Sequence, residues 1–240
     1  MMGEGVAVSN GVICLSTDAG ETWSDSSIDK NAISVSSFYS EFWGWNILIG
    51  CDDGTLLYYG ETYNTWIDTA LSNEPVIAAG MTDLGLHVSP VIIATNSFTY
   101  NTYLPIYPTS TWNVYNNQLN PGDSITCGEL NYNYQYLVGN GGSSGLEILT
   151  LKKYYLLDTL WVPTYSSITS TFILEDIAIY YDYNLFICGD DGKIFTSVDD
   201  GVNWLEQNTG GNYKLKSIVF GYNDSAGYSV GDNGVILFTP

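Results

Sequence analysis

The chain has 240 residues, 45% of them hydrophobic, with seven Trp, twenty Tyr and eight Phe. That is ample material for a core, and no apolar run approaches the ~18 residues that a membrane-spanning helix needs. Twenty-six acidic residues face six lysines (Lys30, Lys152, Lys153, Lys193, Lys214, Lys216) and no arginine, a formal charge of −20. This excludes nucleic acid, whose phosphates need clustered cations, and anionic membranes. It favours cations, neutral glycans or a basic protein surface as partners.

Cys14, Cys51, Cys127 and Cys188 fall in different segments with no shared register. They read as buried free thiols of a protein folded in a reducing compartment. The opening Met1-Met-Gly-Glu-Gly5 has no basic region followed by an apolar one, so it does not read as a secretory signal. The expectation is a chain made in the cytoplasm.

Helical periodicity is nearly absent, whereas short Val/Ile/Leu/Tyr/Phe runs bounded by Gly, Asn, Asp and Ser occur throughout. Labelled A to D within each repeat, the predicted strands begin with B at 6–9, C at 12–15 and D from Thr22. The second repeat has 32–36, 47–50, 56–59 and 65–68, and the third 76–80, 91–94, 98–103 and 112–115. The fourth has 124–127, 136–139, 146–151 and 160–162, and the fifth 174–180, 185–189, 193–196 and D from Asn203. The sixth has A, B and C at 215–220, 227–231 and 235–239. The B–C turns Asn10-Gly11, Asp52-Asp-Gly54, Asp190-Asp-Gly192 and Asp232-Asn-Gly234 suit hairpins that need positive φ.

Two C–D turns share one pattern, Ser-x-Asp-x-Gly-x-x-Trp: Ser16, Asp18, Gly20 and Trp23, then Ser197, Asp199, Gly201 and Trp204. The Asp is expected to bind turn amides, the Gly to take positive φ, and the Trp to open the next strand and pack inward. Trp23, Trp66, Trp112, Trp161 and Trp204 fall 43, 46, 49 and 43 residues apart. A period in the forties marks a repeat fold. Four-stranded meanders repeated about six times predict a single all-β domain over residues 1–240. Its expected form is a β-propeller of four-stranded antiparallel blades, most simply six. Stacking buries both faces of a blade, so the strands need no strict alternation. The first repeat lacks an A strand and the sixth a D strand. Two three-stranded blades at a seam, a ring completed by another segment, a five-bladed ring with surplus strands, or a longer parent protein all fit.

The two turns, with the run Ile187-Cys-Gly-Asp-Asp-Gly-Lys-Ile-Phe-Thr-Ser-Val-Asp-Asp-Gly-Val-Asn-Trp204, resemble the Asp-box (BNR) repeats of sialidase-like propellers. The same run is similar to the propellers of photosystem II assembly factors. The resemblance implies the propeller fold, with Asp18 and Asp199 as structural residues away from any active centre. Sialidases hold their substrate carboxylate with several arginines, bidentate and always charged, and a chain without arginine does not provide them. The arginine patch of the assembly factors is absent for the same reason.

Gly141-Gly-Ser-Ser-Gly145 fits G-x-S-x-G, but it lies in a B–C hairpin with no helix after it, and the one histidine, His87, is in another repeat. It reads as a flexible loop. No C-x-x-C is present, so no zinc set forms, and no cofactor is expected. The acidic turns Asp52, Asp53, Asp190, Asp191 and Asp232 share one rim and offer oxygens for calcium, but they read first as solvated turn residues, with no metal expected. The A–B loops repeat aromatics among Asn, Asp and Gln, including Trp43, Trp45, Tyr132, Tyr134, Tyr181, Tyr183 and Tyr222. Tyr and Trp give rigid contact area at low entropic cost and stack on sugar rings. These residues are the candidate ligand-binding face.

The sequence therefore reads as a non-catalytic binding or structural module that holds a protein or neutral glycan. It would belong to a larger assembly such as a virus particle or surface appendage, with homo-oligomers also compatible. The alternative is a glycan-processing hydrolase with a carboxylate pair in a central channel.

Overall fold

The computed structural model describes residues 5–9, 11–40, 44–62, 64–81, 90–103, 106, 110–130, 134–142, 146–154, 161–168, 171–180, 184–220 and 226–239. Every predicted run contributes to a strand, although several strands begin later than expected, at Ser24, Ala78, Val162 and Leu205, and each meander folds back on itself to give one antiparallel sheet. Sheet one holds β1 (Gly5–Ser9), β2 (Val12–Ser16) and β3 (Ser24–Ser27). Sheet two holds β4 (Ala32–Ser40), β5 (Gly44–Cys51), β6 (Thr55–Gly60) and β7 (Thr65–Ala70). Sheet three holds β8 (Ala78–Met81), β9 (Pro90–Ala94), β10 (Phe98–Tyr103) and β11 (Asn113–Asn116). Sheet four holds β12 (Ser124–Leu130), β13 (Tyr134–Asn140), β14 (Glu147–Tyr154) and β15 (Val162–Ser167). Sheet five holds β16 (Leu174–Tyr180), β17 (Asn184–Gly189), β18 (Lys193–Ser197) and β19 (Leu205–Asn208). Sheet six holds β20 (Leu215–Phe220), β21 (Gly227–Gly231) and β22 (Ile236–Thr239).

This is an all-β propeller of six blades; among the described residues four have four strands and the first and last have three. No α-helix occurs among the described residues. The chain forms two compact units, Met1–Asn117 with Leu130–Tyr132, and Gln118–Glu129 with Asn133–Pro240. In the first, Ile13, Trp45, Ile47 and Ile49 fill the space between sheets one and two, while Leu48, Tyr58, Val91 and Ile93 fill that between sheets two and three. In the second, Tyr136, Val138, Ile177, Ile187 and Phe195 pack sheet four on sheet five. Ala178, Cys188, Leu215 and Ile218 pack sheet five on sheet six. Central strands are therefore buried on both faces; Ile47, Leu48 and Ile49 are consecutive and all fully buried. Each such side chain contributes about 1.5–3 kcal/mol by leaving water.

The repeat is written in hydrogen bonds as well as sequence. In sheets two, five and six the first strand starts with a bulge, between Ala32 and Ser34, Leu174 and Asp176, and Leu215 and Ser217. Just past the end of the second strand an aspartate N–H reaches the carbonyl before that bulge. Asp52 donates to Asn31, Asp190 to Ile173 and Asp232 to Lys214, at 3.0, 3.1 and 2.9 Å. This close approach explains the glycine ahead of the aspartate in two of the three. A Cβ on Gly189 would lie 2.0 Å from the Ile173 carbonyl oxygen, and one on Gly231 would lie 2.3 Å from that of Lys214.

Of the five periodic tryptophans, Trp23, Trp112, Trp161 and Trp204 immediately precede the fourth-position strand, and Trp66 is the second residue of it. Their surroundings differ from the inward packing expected. Trp161 is buried, and Trp112 and Trp204 lean on cores, but Trp23 is 49% exposed and Trp66 is 39% exposed. Position in the repeat fixes where the ring starts; the neighbouring sheet fixes whether it is covered. Cys51, Cys127 and Cys188 are buried and Cys14 is half-buried, all free. His87 and Ser143 to Gly145 lie outside the described residues.

Gly189→Ala is expected to destabilise the protein by about 2–3 kcal/mol, because a backbone carbonyl, not a flexible side chain, occupies the new methyl's place. Gly210→Ala, with nothing within 4 Å but φ of +77°, is expected to cost about 1 kcal/mol. Urea unfolding of the two variants checks the ranking.

Candidate functional site

The turn between β18 and β19 is built around one hydroxyl. Ser197 Oγ donates to Asp199 Oδ1 at 2.9 Å and accepts from the Gly201 and Asp199 amides at 2.9 and 3.4 Å. Asp199 then receives Asn203, its backbone N–H on Oδ1 at 2.9 Å and its side-chain amide on Oδ2 at 2.7 Å. Asp200 and Gly201 take φ of +63° and +81°. The turn between β2 and β3 repeats this atom for atom. Ser16 Oγ donates to Asp18 Oδ1 at 2.9 Å and accepts from Gly20 N at 2.8 Å, while Thr22 gives its N–H and hydroxyl to Asp18 at 2.9 and 2.5 Å. Ala19 and Gly20 have φ of +62° and +85°.

Donors aimed at an ionised carboxylate favour the charged form. The Thr22 hydroxyl and amide, then Ser16, hold Asp18 below the usual carboxylate range. The Asn203 side chain, then its amide and Ser197, do so for Asp199. Both carboxylates are consumed by their own turns.

The second turn does more than close a hairpin. Asp200, one of the four variable positions inside the motif, reaches sheet four. Its Oδ1 accepts from the Tyr136 hydroxyl at 2.6 Å and its Oδ2 from Lys152 Nζ at 2.5 Å. From the same sheet Ser166 Oγ donates to the Gly201 and Val202 carbonyls at 3.1 and 2.6 Å. A Cβ on Gly201 would meet Thr150 Oγ1 at 2.6 Å, so the backbone is pressed against β14. In the first turn Ala19 has no group to do this, and Trp23 instead donates its indole N–H to its own Gly20 carbonyl at 3.1 Å.

The acidic rim residues are tied in too. Asp52 accepts from the Asn31 side chain at 2.7 Å, Asp53 from Lys30 at 2.9 Å, and Asp190 from Ile173 N at 2.8 Å. Asp191 lies 3.9 Å from Lys193. The Lys30 ammonium, then Thr55, bring Asp53 down to about 2. Among the described residues no three His, Cys, Asp or Glu side chains converge to hold a metal ion.

The lysines are paired as well. Lys30 meets Asp53, Lys152 meets Asp200, Lys193 meets Asp191, and Lys214 and Lys216 both meet Glu175. Every lysine whose side chain is described thus spends its charge internally. The surface that remains is dominated by carboxylates.

Of the aromatic loop residues, Trp45 is the one whose side chain is described. It is 7% exposed and packs between sheets one and two, so its ring offers no open stacking face. The Trp45 backbone N–H donates to Glu61 Oε2 at 2.7 Å, beside the buried Asn46, whose Oδ1 accepts from the Tyr58 hydroxyl at 2.8 Å. Trp43, Tyr132, Tyr181, Tyr183 and Tyr222 lie outside the described residues, and of Tyr134 only the backbone is described.

Sequence reading did not single out Glu129 and Asp176. Desolvation, then the Asp176 charge, pushes Glu129 up to about 7 from 4.5. Burial also raises Asp176, against the pull of Ile218 N and the Ser217 hydroxyl at 2.9 and 2.7 Å. Glu129 keeps an open side-chain surface, so water screens part of that push. Alternating strand residues such as these give no sequence signal.

Fold and turns together define the class: a six-bladed, all-β propeller with serine–aspartate turns before the last strands of sheets one and five. No protein-family model and no curated protein sequence matches the chain. Among solved structures it is similar to "YCF48 from Cyanidioschyzon merolae", with 14% identity and a TM-score of 0.63 over 95% of this chain and 76% of that one. It is similar to "YCF48 bound to D1 peptide", with 14% identity and a TM-score of 0.62 over 95% and 72%. It is also similar to U3-55K, with 10% identity and a TM-score of 0.70 over 97% and 72%. At these identities the likeness is one of fold.

Asp200→Ala is expected to cost about 2 kcal/mol in urea unfolding, the scale for charged hydrogen bonds removed from a part-buried pair. For Glu129 the folded protein binds a proton that the unfolded chain, with a carboxyl near 4.5, does not. Its stabilisation is therefore present at pH 4.5 and declines as pH rises toward 7. Glu129→Gln is expected to flatten this part of the stability–pH curve, measured as Tm from pH 4.5 to 8.

Proposed function

We propose that this propeller is a non-catalytic binding module that holds a protein partner within a larger assembly, such as a virus particle or surface appendage. The observation that carries the reading is the charge arrangement. The described lysines all lie within 4 Å of a carboxylate, and with 26 acidic residues against six lysines the exterior is complementary to a basic protein surface. The likeness in fold to "YCF48 bound to D1 peptide" supports it, because a propeller there holds another polypeptide. Loops on a rigid scaffold are where binding residues concentrate. The proposed contacts are the A–B loop aromatics Trp43, Tyr132, Tyr134, Tyr181, Tyr183 and Tyr222. Ser16, Asp18, Gly20 and Trp23, with Ser197, Asp199, Gly201 and Trp204, are proposed as structural Asp-box residues that take no part in ligand contact.

Cross-linking in the native setting, with glycan-array binding and chromogenic glycosides run in parallel, tests this. The expected result is a protein cross-linked through the A–B loops, weakened about tenfold by Tyr181→Ala with Tyr183→Ala, the scale of a lost aromatic contact. No glycoside turnover is expected. Hydrolysis that disappears in Glu129→Gln would replace the reading with the hydrolase, and tight glycan binding without a protein partner would replace it with a lectin.

A further inference from the structure

Sheets one and two pack through Ile13, Ile47 and Ile49, and beside that core the outer strand of sheet two keeps a half-covered tryptophan. Trp66 of β7 lies opposite Tyr59 of β6, which lies opposite Ile47 of β5, so all three side chains point to the sheet-one face. Tyr59 and Trp66 form a tilted pair, with ring centroids 5.3 Å apart and planes at 44°. The Tyr59 hydroxyl donates to Asn64 Oδ1 at 3.0 Å, which fixes that ring. Trp112, Trp161 and Trp204 enter or lean on cores, whereas Trp66 stays 39% exposed. The outer strand of sheet one supplies the reason. β3 reads Ser-Asp-Ser-Ser and is exposed throughout. The residues it turns toward sheet two are Ser24 and Ser26, which lie opposite Leu15 and Ile13 of the shared core. Two serine side chains are too small to cover an indole.

Two carboxylates stand on the same face. Glu61 continues the row of Tyr39 and Trp45 at the end of the sheet. Its N–H donates to the Trp45 carbonyl at 2.8 Å and its Oε2 accepts from the Trp45 N–H at 2.7 Å, so the acid is held in place. Asp68, two residues beyond Trp66 and opposite Leu57, has a side chain 58% exposed. Lys30 is the only lysine ahead of Lys152 in the chain. It lies 3.9 Å from Asp68 but is committed to Asp53 at 2.9 Å and Thr55 at 3.1 Å, at the other end of β6 from Glu61.

We propose that Trp66 and Tyr59, with the carboxylates of Glu61 and Asp68, bind a lysine or arginine side chain of the protein partner. The proposal rests on the binding-module reading and gives it a place and a chemistry. An ammonium or guanidinium group over an indole face is attracted by the ring's quadrupole, and Trp is the best of the aromatic residues for this. The two acids on the same face add direct charge attraction. The aliphatic stem of the incoming side chain covers the open indole while its charged head stays in water. A neutral sugar stacks on the same ring without using the charge of either acid.

The test titrates the full chain with hexalysine and, separately, with maltohexaose at about 0.15 M salt, which screens charges more than roughly 8 Å apart. Indole N–H resonances of ¹⁵N-labelled protein report the place, the Trp66 signal being the one lost in Trp66→Phe. Hexalysine is expected to shift that signal. Trp66→Leu, which changes no charge, is expected to weaken hexalysine about fivefold. Ser26→Lys puts a cation on the sheet-two face of β3 and is expected to weaken it about tenfold. Ser27→Lys adds the same charge to the other face of the same exposed strand and is expected to change binding by less than about twofold. Equal effects of the two lysines, or no effect of Trp66→Leu, leave only the attraction of net charge and overturn the proposal. A Trp66 signal that moves with maltohexaose and not with hexalysine overturns it in favour of a sugar platform. Neither result touches the module reading, which falls instead if cross-linking in the native setting finds no protein.

Discussion

The fold depends on how a chain with short strands turns corners without losing register. Here one serine hydroxyl does it. Ser197 closes onto Asp199 and the Gly201 amide, which fixes two residues in the left-handed region. A non-glycine residue in that region costs roughly 1–2 kcal/mol, and the local hydrogen bonds offset it. The same circuit at Ser16, where alanine stands in place of Asp200, shows that it is a property of the local sequence.

What differs between the two turns is the residue held at positive φ. Ala19 points nowhere useful, whereas Asp200 turns the strained position into a tether to Tyr136 and Lys152 of sheet four. Ser166 completes it by donating to the turn's carbonyls. A motif for reversing the chain thereby becomes a joint between blades. The bulge and the intruding carbonyl at the opposite end of the sheet are a second joint within sheets two, five and six. There Gly189 and Gly231 are small because backbone occupies the space a side chain would need.

The inner strands were legible because most are short apolar runs between turn residues, a pattern that does not depend on neighbours, whereas polar outer strands such as β3 and β19 were marked by the tryptophan before them. The bulges at Ala32, Leu174 and Leu215 were not, because register is set by pairing and leaves no mark in composition. Gly189 was legible as part of a turn signature but not as a steric requirement. Asp200 occupies a position where the motif accepts any residue, so nothing marked its partners 64 and 48 residues away. Trp45 read as a binding residue because aromatics crowd that loop; it is buried because sheet one covers it. Glu129 and Asp176 gain their proximity from adjacent first strands, which no local pattern encodes.

Amide hydrogen exchange at the two serine–aspartate turns tests most directly whether the second one is a joint between blades. If it is, Gly201 and Asn203 exchange with the slow sheet-five core, while Gly20 and Thr22, with equivalent hydrogen bonds but no tether, exchange much faster. Equal rates in the two turns would show that the Ser–Asp circuit alone sets their stability, and would contradict the account.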